Sequence, residues 1–187
     1  MQNSILINSC AILIKFTKKM KIENCTISDL QTIENLYANA RKIQLEKNAV
    51  VWPIFESSAM LDAIKDKRQY KVCIDNQIAC VFTYTFKDQS IWGNLDKNDA
   101  IYIHKIATNA NFRGNNLVEK LIDFSRKQAV SINKSFLRMD TVGQNQGLIS
   151  YYTKCGFEFL GLKKLENFDD LPAHYHKASV SLFQLKI

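Results

Sequence analysis

The chain has 187 residues, 47% of them hydrophobic and 23% charged, with a formal net charge of +7. That length suits one domain with a single well-buried core, and that balance of apolar and charged residues is that of a soluble globular chain. Five cysteines (Cys10, Cys25, Cys73, Cys80 and Cys155) are an odd number with no Cys-x-x-Cys pair, which excludes an evident disulfide framework or zinc ribbon and favours a reducing, cytoplasmic setting.

Residues 1–19 carry two apolar stretches, Ile5-Leu6-Ile7 and Ala11-Ile12-Leu13-Ile14. No basic residue precedes them and no small-residue cleavage pattern follows, so they do not read as a signal peptide. Asn8, Ser9 and Cys10 interrupt them, and they are too short to span a bilayer. The segment is an upstream misread, a disordered lead or an added strand, and the domain proper runs over 20–187.

Ser28-x-x-Gln31 can act as a capping box, after which Leu30, Ile33, Leu36, Tyr37 and Ala40 line one face of a first helix. A shorter helix is predicted over 56–65. The link between them contains Trp52-Pro53, where the proline disfavours helix at Trp52. Strand-like runs at 70–74 and 77–86 flank Asp75-Asn76, a pair suited to a tight hairpin turn. Polar loops surround Ser90-Ile91-Trp92, and the next strand is predicted over 100–107. The turn Phe112-Arg113-Gly114-Asn115-Asn116 then opens a helix in which Leu117, Val118, Leu121, Ile122, Phe124 and Ala129 recur at helical spacing. A strand at 135–140, a loop at 141–145, a short helix at 146–154 and the stop Cys155-Gly156-Phe157 follow. Two terminal strands, 157–164 and 179–186, form a pair across a loop at 166–177. The order predicts an α+β chain with a mixed central sheet flanked by helices.

A glycine turn at a helix N-terminus offers unpaired N–H groups and a favourable dipole to an anion. Here it is followed, in order, by Asn145 and by Tyr152-Thr153-Lys154-Cys155-Gly156-Phe157. This succession resembles the core of the GNAT superfamily of N-acetyltransferases, whose pattern is a strand, Arg/Gln-x-x-Gly-x-Gly/Ala at a helix start, then a strand, Asn and Tyr-x-x-x-Gly-Phe. The likeness covers roughly residues 20–187, with Met20-Lys21-Ile22 resembling the usual first strand. Asn116 and Val118 depart from it, standing where the family has glycine, and glycine or alanine. Val118 brings a branched side chain to a place where pyrophosphate normally comes close.

The resemblance implies an acyl-CoA N-acyltransferase fold and acetyl-CoA as cosubstrate. It implies that Ile106 and Thr108 pair through their backbones with the pantetheine amides, that Asn145 binds the pantetheine chain, and that amides of Arg113, Gly114, Asn115, Asn116 and Val118 face the pyrophosphate. Tyr152 matches the tyrosine that protonates the departing thiolate; the alternative is a core aromatic ahead of a helix stop. The region over 44–55, with Trp52 and Phe55, resembles the substrate-facing cover, or else is core packing.

An alkyl amine is protonated near neutrality, so acyl transfer needs a base. His104, nine positions before Arg113 where the family often has a polar residue, can serve as that base at neutral pH, or be a buried, hydrogen-bonded core histidine. Strand alternation predicts Tyr102, His104 and Ile106 on one face and Ile101, Ile103 and Lys105 on the other. Asp140, sharing a strand face with Arg138, attracts an amine or forms an ion pair with that arginine.

His174-x-His176 lacks the ligand count and spacing of a zinc site, even with Cys155, so no metal is expected. The basic residues are scattered, and a solvated lysine surface accounts for them without nucleic acid or membrane. The expected partners are therefore acetyl-CoA and an amine acceptor, with a monomer or homodimer as the assembly. Against this N-acetyltransferase stand a CoA-binding module of the same fold without turnover and a basic interaction domain.

Overall fold

Hydrophobic periodicity orders the elements along the chain, and strand pairing decides which of them become neighbours. The computed structural model describes residues 19–165, 171–176 and 179–187. Residues 1–18, the bulk of the expected leader, lie outside that set, as does part of the loop expected at 166–177. The elements are β1 Met20–Asn24, α1 Leu30–Glu46, α2 Ser57–Lys65, β2 Gln69–Ile74, β3 Gln77–Thr85, the one-turn helix α3 Gln89–Trp92, β4 Ala100–Thr108, α4 Leu117–Ser131, β5 Phe136–Val142, α5 Gln146–Lys154, β6 Glu158–Lys164 and β7 Ser179–Lys186.

Asp75 and Asn76 take φ of +48° and +65°, the left-handed pair that a tight β2–β3 hairpin demands. The cap of the first helix differs from the expected Ser28–Gln31 box. Asp29 accepts a 2.7 Å hydrogen bond from the Thr26 N–H, so the box forms two residues earlier around a short 3-10 turn. The β5 strand runs on to Val142, where a loop was expected from Thr141, because β7 pairs with it over its whole length.

The seven strands are ordered β1-β2-β3-β4-β5-β7-β6. Every ladder is antiparallel except β4–β5. Helices α4 and α5 cover one face through Leu117, Leu121, Ile122, Ala129, Ile149 and Tyr152. On the other face α1 and α2 bury Ile33, Leu36, Tyr37, Met60 and Ile64 against Val81 and Ala107, while Trp92, Tyr102, Val180 and Leu182 form a third cluster.

Two departures from regular sheet geometry create the central cavity. The first is the parting of the parallel pair: β4 and β5 are paired only from Ala100↔Phe136 to Tyr102↔Arg138, although β4 continues to Thr108 and β5 to Val142. The second is a bulge in β4. Thr83 pairs with His104 but Val81 pairs with Ala107, so β4 spends one more residue than β3 over that interval. Lys105 absorbs the extra residue with φ of +53°. The expected alternation therefore fails beyond His104. Ile106 packs with Ile101 and Ile103 on the α4 side, and Ala107 faces α1.

Arg138 secures the last rung before the strands part. It is 3% exposed and donates to Asp99 (2.9 Å), Gln184 (2.8 Å) and the Leu95 carbonyl (2.7 Å), while its guanidinium lies over Trp92 and Phe136. Its acidic partner is thus Asp99 rather than Asp140. Removing one member of a buried, hydrogen-bonded pair leaves the rest without compensation. Arg138→Leu should accordingly cost on the order of 3 kcal/mol in urea unfolding; a loss below about 1 kcal/mol would show that the rung holds without it.

Candidate active site

The parted strands open into a cavity of about 800 Å³. Its walls come from distant parts of the chain: Gln44, Val50, Trp52 and Phe55 from α1 and the segment after it, residues 103–108 of β4, Met139 to Val142 of β5, and Tyr152 of α5. Leu171, Pro172, His174 and Tyr175 close one side.

His104 lies between two carboxylates. Its Nε2 is 3.4 Å from Asp88 Oδ2 and its Nδ1 is 3.6 Å from Asp140 Oδ1, with Asp140 only 1% exposed. Among the described residues neither carboxylate oxygen has a hydrogen-bond donor, so these are charge contacts at longer than bonding range. The other oxygen of Asp140 accepts a 2.9 Å bond from the Tyr175 hydroxyl. Burial pulls the His104 pKa down, but the close contact with Asp88 and the charges of Asp140 and Asp88 outweigh it, so the pKa stands above its ordinary value. Burial pushes the Asp140 carboxyl up to about 6, against the opposing charge of His104. The two groups thus compete for one proton, and their titration belongs to the pair.

Asp88, His104 and Asp140 also bring one ligand atom each within 4.8 Å of one another. A metal ion, however, takes one lone pair from an imidazole. Here each ring nitrogen faces a different carboxylate, so a protonated ring would have a negative charge on either side.

Tyr152 is 8% exposed and packed against Phe157 and Phe183, yet it also lines the cavity. Its position combines core packing with a place on the cavity wall. Burial pushes its phenol well above the usual tyrosine range, so it keeps its proton at neutral pH. Trp52 and Phe55 likewise combine two roles, packing edge-on against Tyr37 while facing the cavity.

Ile106, Thr108, Arg113 and Asn145 reach the cavity wall. Asn145 caps α5, its side-chain oxygen accepting a 3.1 Å bond from the Leu148 N–H. Gly114, Asn115, Asn116 and Val118 lie just beyond, in the turn that opens α4. Gly114 has φ of +80° and Asn116 φ of +50°, so asparagine supplies the left-handed residue that glycine would otherwise provide. A Cβ on Gly114 would meet nothing within 4 Å, which leaves open space over the turn. The Val118 side chain packs against the main core.

Sequence reasoning did not select Asp88, Lys105, His174 or Tyr175. Asp88 follows β3 and Tyr175 follows β6, and only the tertiary fold brings them to β4. Lys105 could have been flagged only by a bulge that no glycine marks.

Residues 36–157 match the family "Acetyltransferase (GNAT) family", and the chain belongs to it. Among curated proteins it is similar to "Uncharacterized N-acetyltransferase YesJ" of Bacillus subtilis (strain 168), 28% identical over 74 residues, 40% of this chain and 41% of that protein. It is also similar to "Streptothricin acetyltransferase" of Escherichia coli, 31% identical over 81 residues, 41% of this chain and 47% of that one. The matches thus span less than half the length of either relative. A GNAT-family acetyltransferase from Listeria monocytogenes 4b F2365 shares the fold, with a TM-score of 0.73 at 19% identity over 91% of this chain and 100% of that one. Among the described residues no helix is long and apolar enough to cross a membrane.

The contact with Asp88 is the largest influence raising the His104 pKa. An NMR titration of the imidazole should therefore find it above 6.5, and Asp88→Asn should bring it down by removing the charge while leaving the fold intact. A pKa indifferent to this substitution would mean that Asp140 alone sets it.

Proposed function

We propose that the protein is an acetyl-CoA-dependent N-acetyltransferase that moves the acetyl group directly to a primary amine of a small molecule or peptide in a ternary complex. The observation that carries this reading is the cavity itself, in which the bulged strand with His104 and the helix with Tyr152 face one space where β4 and β5 part. An extended chain laid beside β4 past Tyr102 would pair with a strand that lacks a neighbour on that side, as a peptide adds to a sheet edge. Ile106 and Thr108 are the residues assigned to pantetheine, with Asn145 opposite. The open space over Gly114 and the start of α4 suit a pyrophosphate, which Arg113, Gly114, Asn115, Asn116 and Val118 would receive through their amides. Because the Val118 side chain is taken up by the core, its bulk gives no support to a module that has lost turnover.

In the reaction the amine nitrogen attacks the thioester carbonyl carbon, the carbon–sulfur bond breaks, and the sulfur leaves as a thiolate. His104 accepts the proton lost by the amine, directly or through water. Asp88 and Asp140 attract the incoming ammonium and stabilise the imidazolium that results. Tyr152 donates to the thiolate, which is itself a stronger base when desolvated than in water. The cluster around His104 acts in this reading as a proton carrier, with no metal, in a cytoplasmic protein.

Acetyl-CoA should raise the melting temperature by mass action, and Gly114→Asp should remove that shift by setting a carboxylate against phosphate. No shift in the unmutated protein at millimolar acetyl-CoA would end the assignment.

A positioned acid or base contributes about a hundredfold to ten-thousandfold in rate. Tyr152→Phe should lower turnover on that scale and keep acetyl-CoA affinity. His104→Ala should lower it too and abolish the acid limb of the pH profile. That limb lies above 6.5, because the base must be neutral and activity falls as pH drops through its raised pKa. Turnover within a few-fold of the unmutated enzyme in both variants would reassign the proton transfers.

A further inference from the structure

One cation in the cavity has no part in the transfer chemistry. Lys105 lines the same space as His104, and its ammonium lies 4.4 Å from the centre of the Phe55 ring. Among the described residues no carboxylate or carbonyl accepts a bond from it. A half-buried ammonium that has lost water without gaining an acceptor is unfavourably placed, and an anionic ligand group would remove that cost. Burial first, and then the charge of Arg68, lower its pKa, as expected for a cation short of counter-charge.

Its backbone points the same way. A residue at φ of +53° in a strand bulge is ordinarily glycine, and a lysine there is held at a conformational cost. The effect of that conformation is specific. In a regular strand consecutive side chains leave on opposite faces, whereas here His104 and Lys105 both open on the cavity. An acidic pair around His104 and an ammonium with no carboxylate partner among the described residues therefore line one space. His174 lies on the same wall, its buried Nδ1 without a hydrogen-bond partner among the described residues and its pKa pushed down to about 4 by burial, Lys105 and His176, so it offers a neutral polar contact.

We propose that the acceptor is an amino-acid-like zwitterion, whose ammonium is received by Asp88, His104 and Asp140 and whose carboxylate is received by Lys105. This rests on the transferase reading and narrows it. A lysine side chain within a protein, or a peptide N-terminus, has no carboxylate beside its amine and would leave Lys105 unpaired.

The test measures kcat/KM for free amino acids and for their carboxamides, in the unmutated enzyme and in Lys105→Gly. Glycine suits the left-handed backbone, so this variant removes the ammonium without straining the fold, and its melting temperature should not fall. Comparing the acid-to-amide ratio between the unmutated enzyme and the variant cancels the difference in amine basicity between an acid and its amide. A hydrogen bond to a charged group predicts that this ratio drops about tenfold to a hundredfold in Lys105→Gly and recovers in part in Lys105→Arg. An unchanged ratio overturns the proposal. So does a loss of acetyl-CoA affinity in Lys105→Gly with the ratio intact, which would give the ammonium to the cosubstrate's phosphates. If acetyl-CoA binds but neither series is acetylated while an uncharged amine is, the zwitterion is wrong and the transferase reading survives. If no amine is acetylated at all, both fall.

Discussion

The parallel contact between β4 and β5 ends at the Tyr102↔Arg138 rung, and the rest of the site depends on that ending. A sheet fully paired at its centre would have no room for a ligand and no strand lacking a neighbour. By holding the two strands together over three rungs and then letting them diverge, the fold makes a wedge between β4 and β5. Arg138 fixes the apex, α4 and α5 support one face, and α1 with its following segment roofs the other. The bulge at Lys105 then turns the far half of β4, so that consecutive residues face the same space.

Electrostatics in this wedge follow from burial. Asp140, almost without exposure, resists ionisation, and burial alone would make His104 resist protonation, yet each relieves the other when one proton is shared between them. Asp88 tilts that balance toward the imidazole. The Tyr175 hydroxyl, donating to the second Asp140 oxygen, holds the carboxylate in position. In the proposed reaction such a cluster, negative when it carries a single proton, would draw an ammonium toward the same atoms that take its proton. The buried phenol of Tyr152, on α5, keeps its own proton, and in the proposed reaction it would serve the opposite task.

Much of this was legible in the chain because local rules and the global fold agree. Asp75-Asn76 signals a tight hairpin and forms one, and Gly114 with Asn116 supplies the two left-handed residues ahead of α4. Asn145 caps the helix it precedes. What escaped was of longer range. A bulge built on lysine carries no glycine signal, so strict alternation misassigned Ile106 and Lys105. Arg138 and Asp140 share a face two residues apart, but Asp99 and His104, each far away in sequence, proved the better partners. Asp88 and Tyr175 become site residues only through strand order, which places β7 between β5 and β6 and brings the segment after β6 over the wedge.

The central claim is that the wedge between β4 and β5 receives the cosubstrate. Amide hydrogen exchange with and without acetyl-CoA measures it at the level of single segments. Acetyl-CoA bound there should slow exchange over residues 104–108 and 113–118, where backbone donors would gain ligand acceptors, and leave β1 and β6 unchanged. Saturating acetyl-CoA with no protection in either segment, or with protection confined to other parts of the sheet, would contradict it.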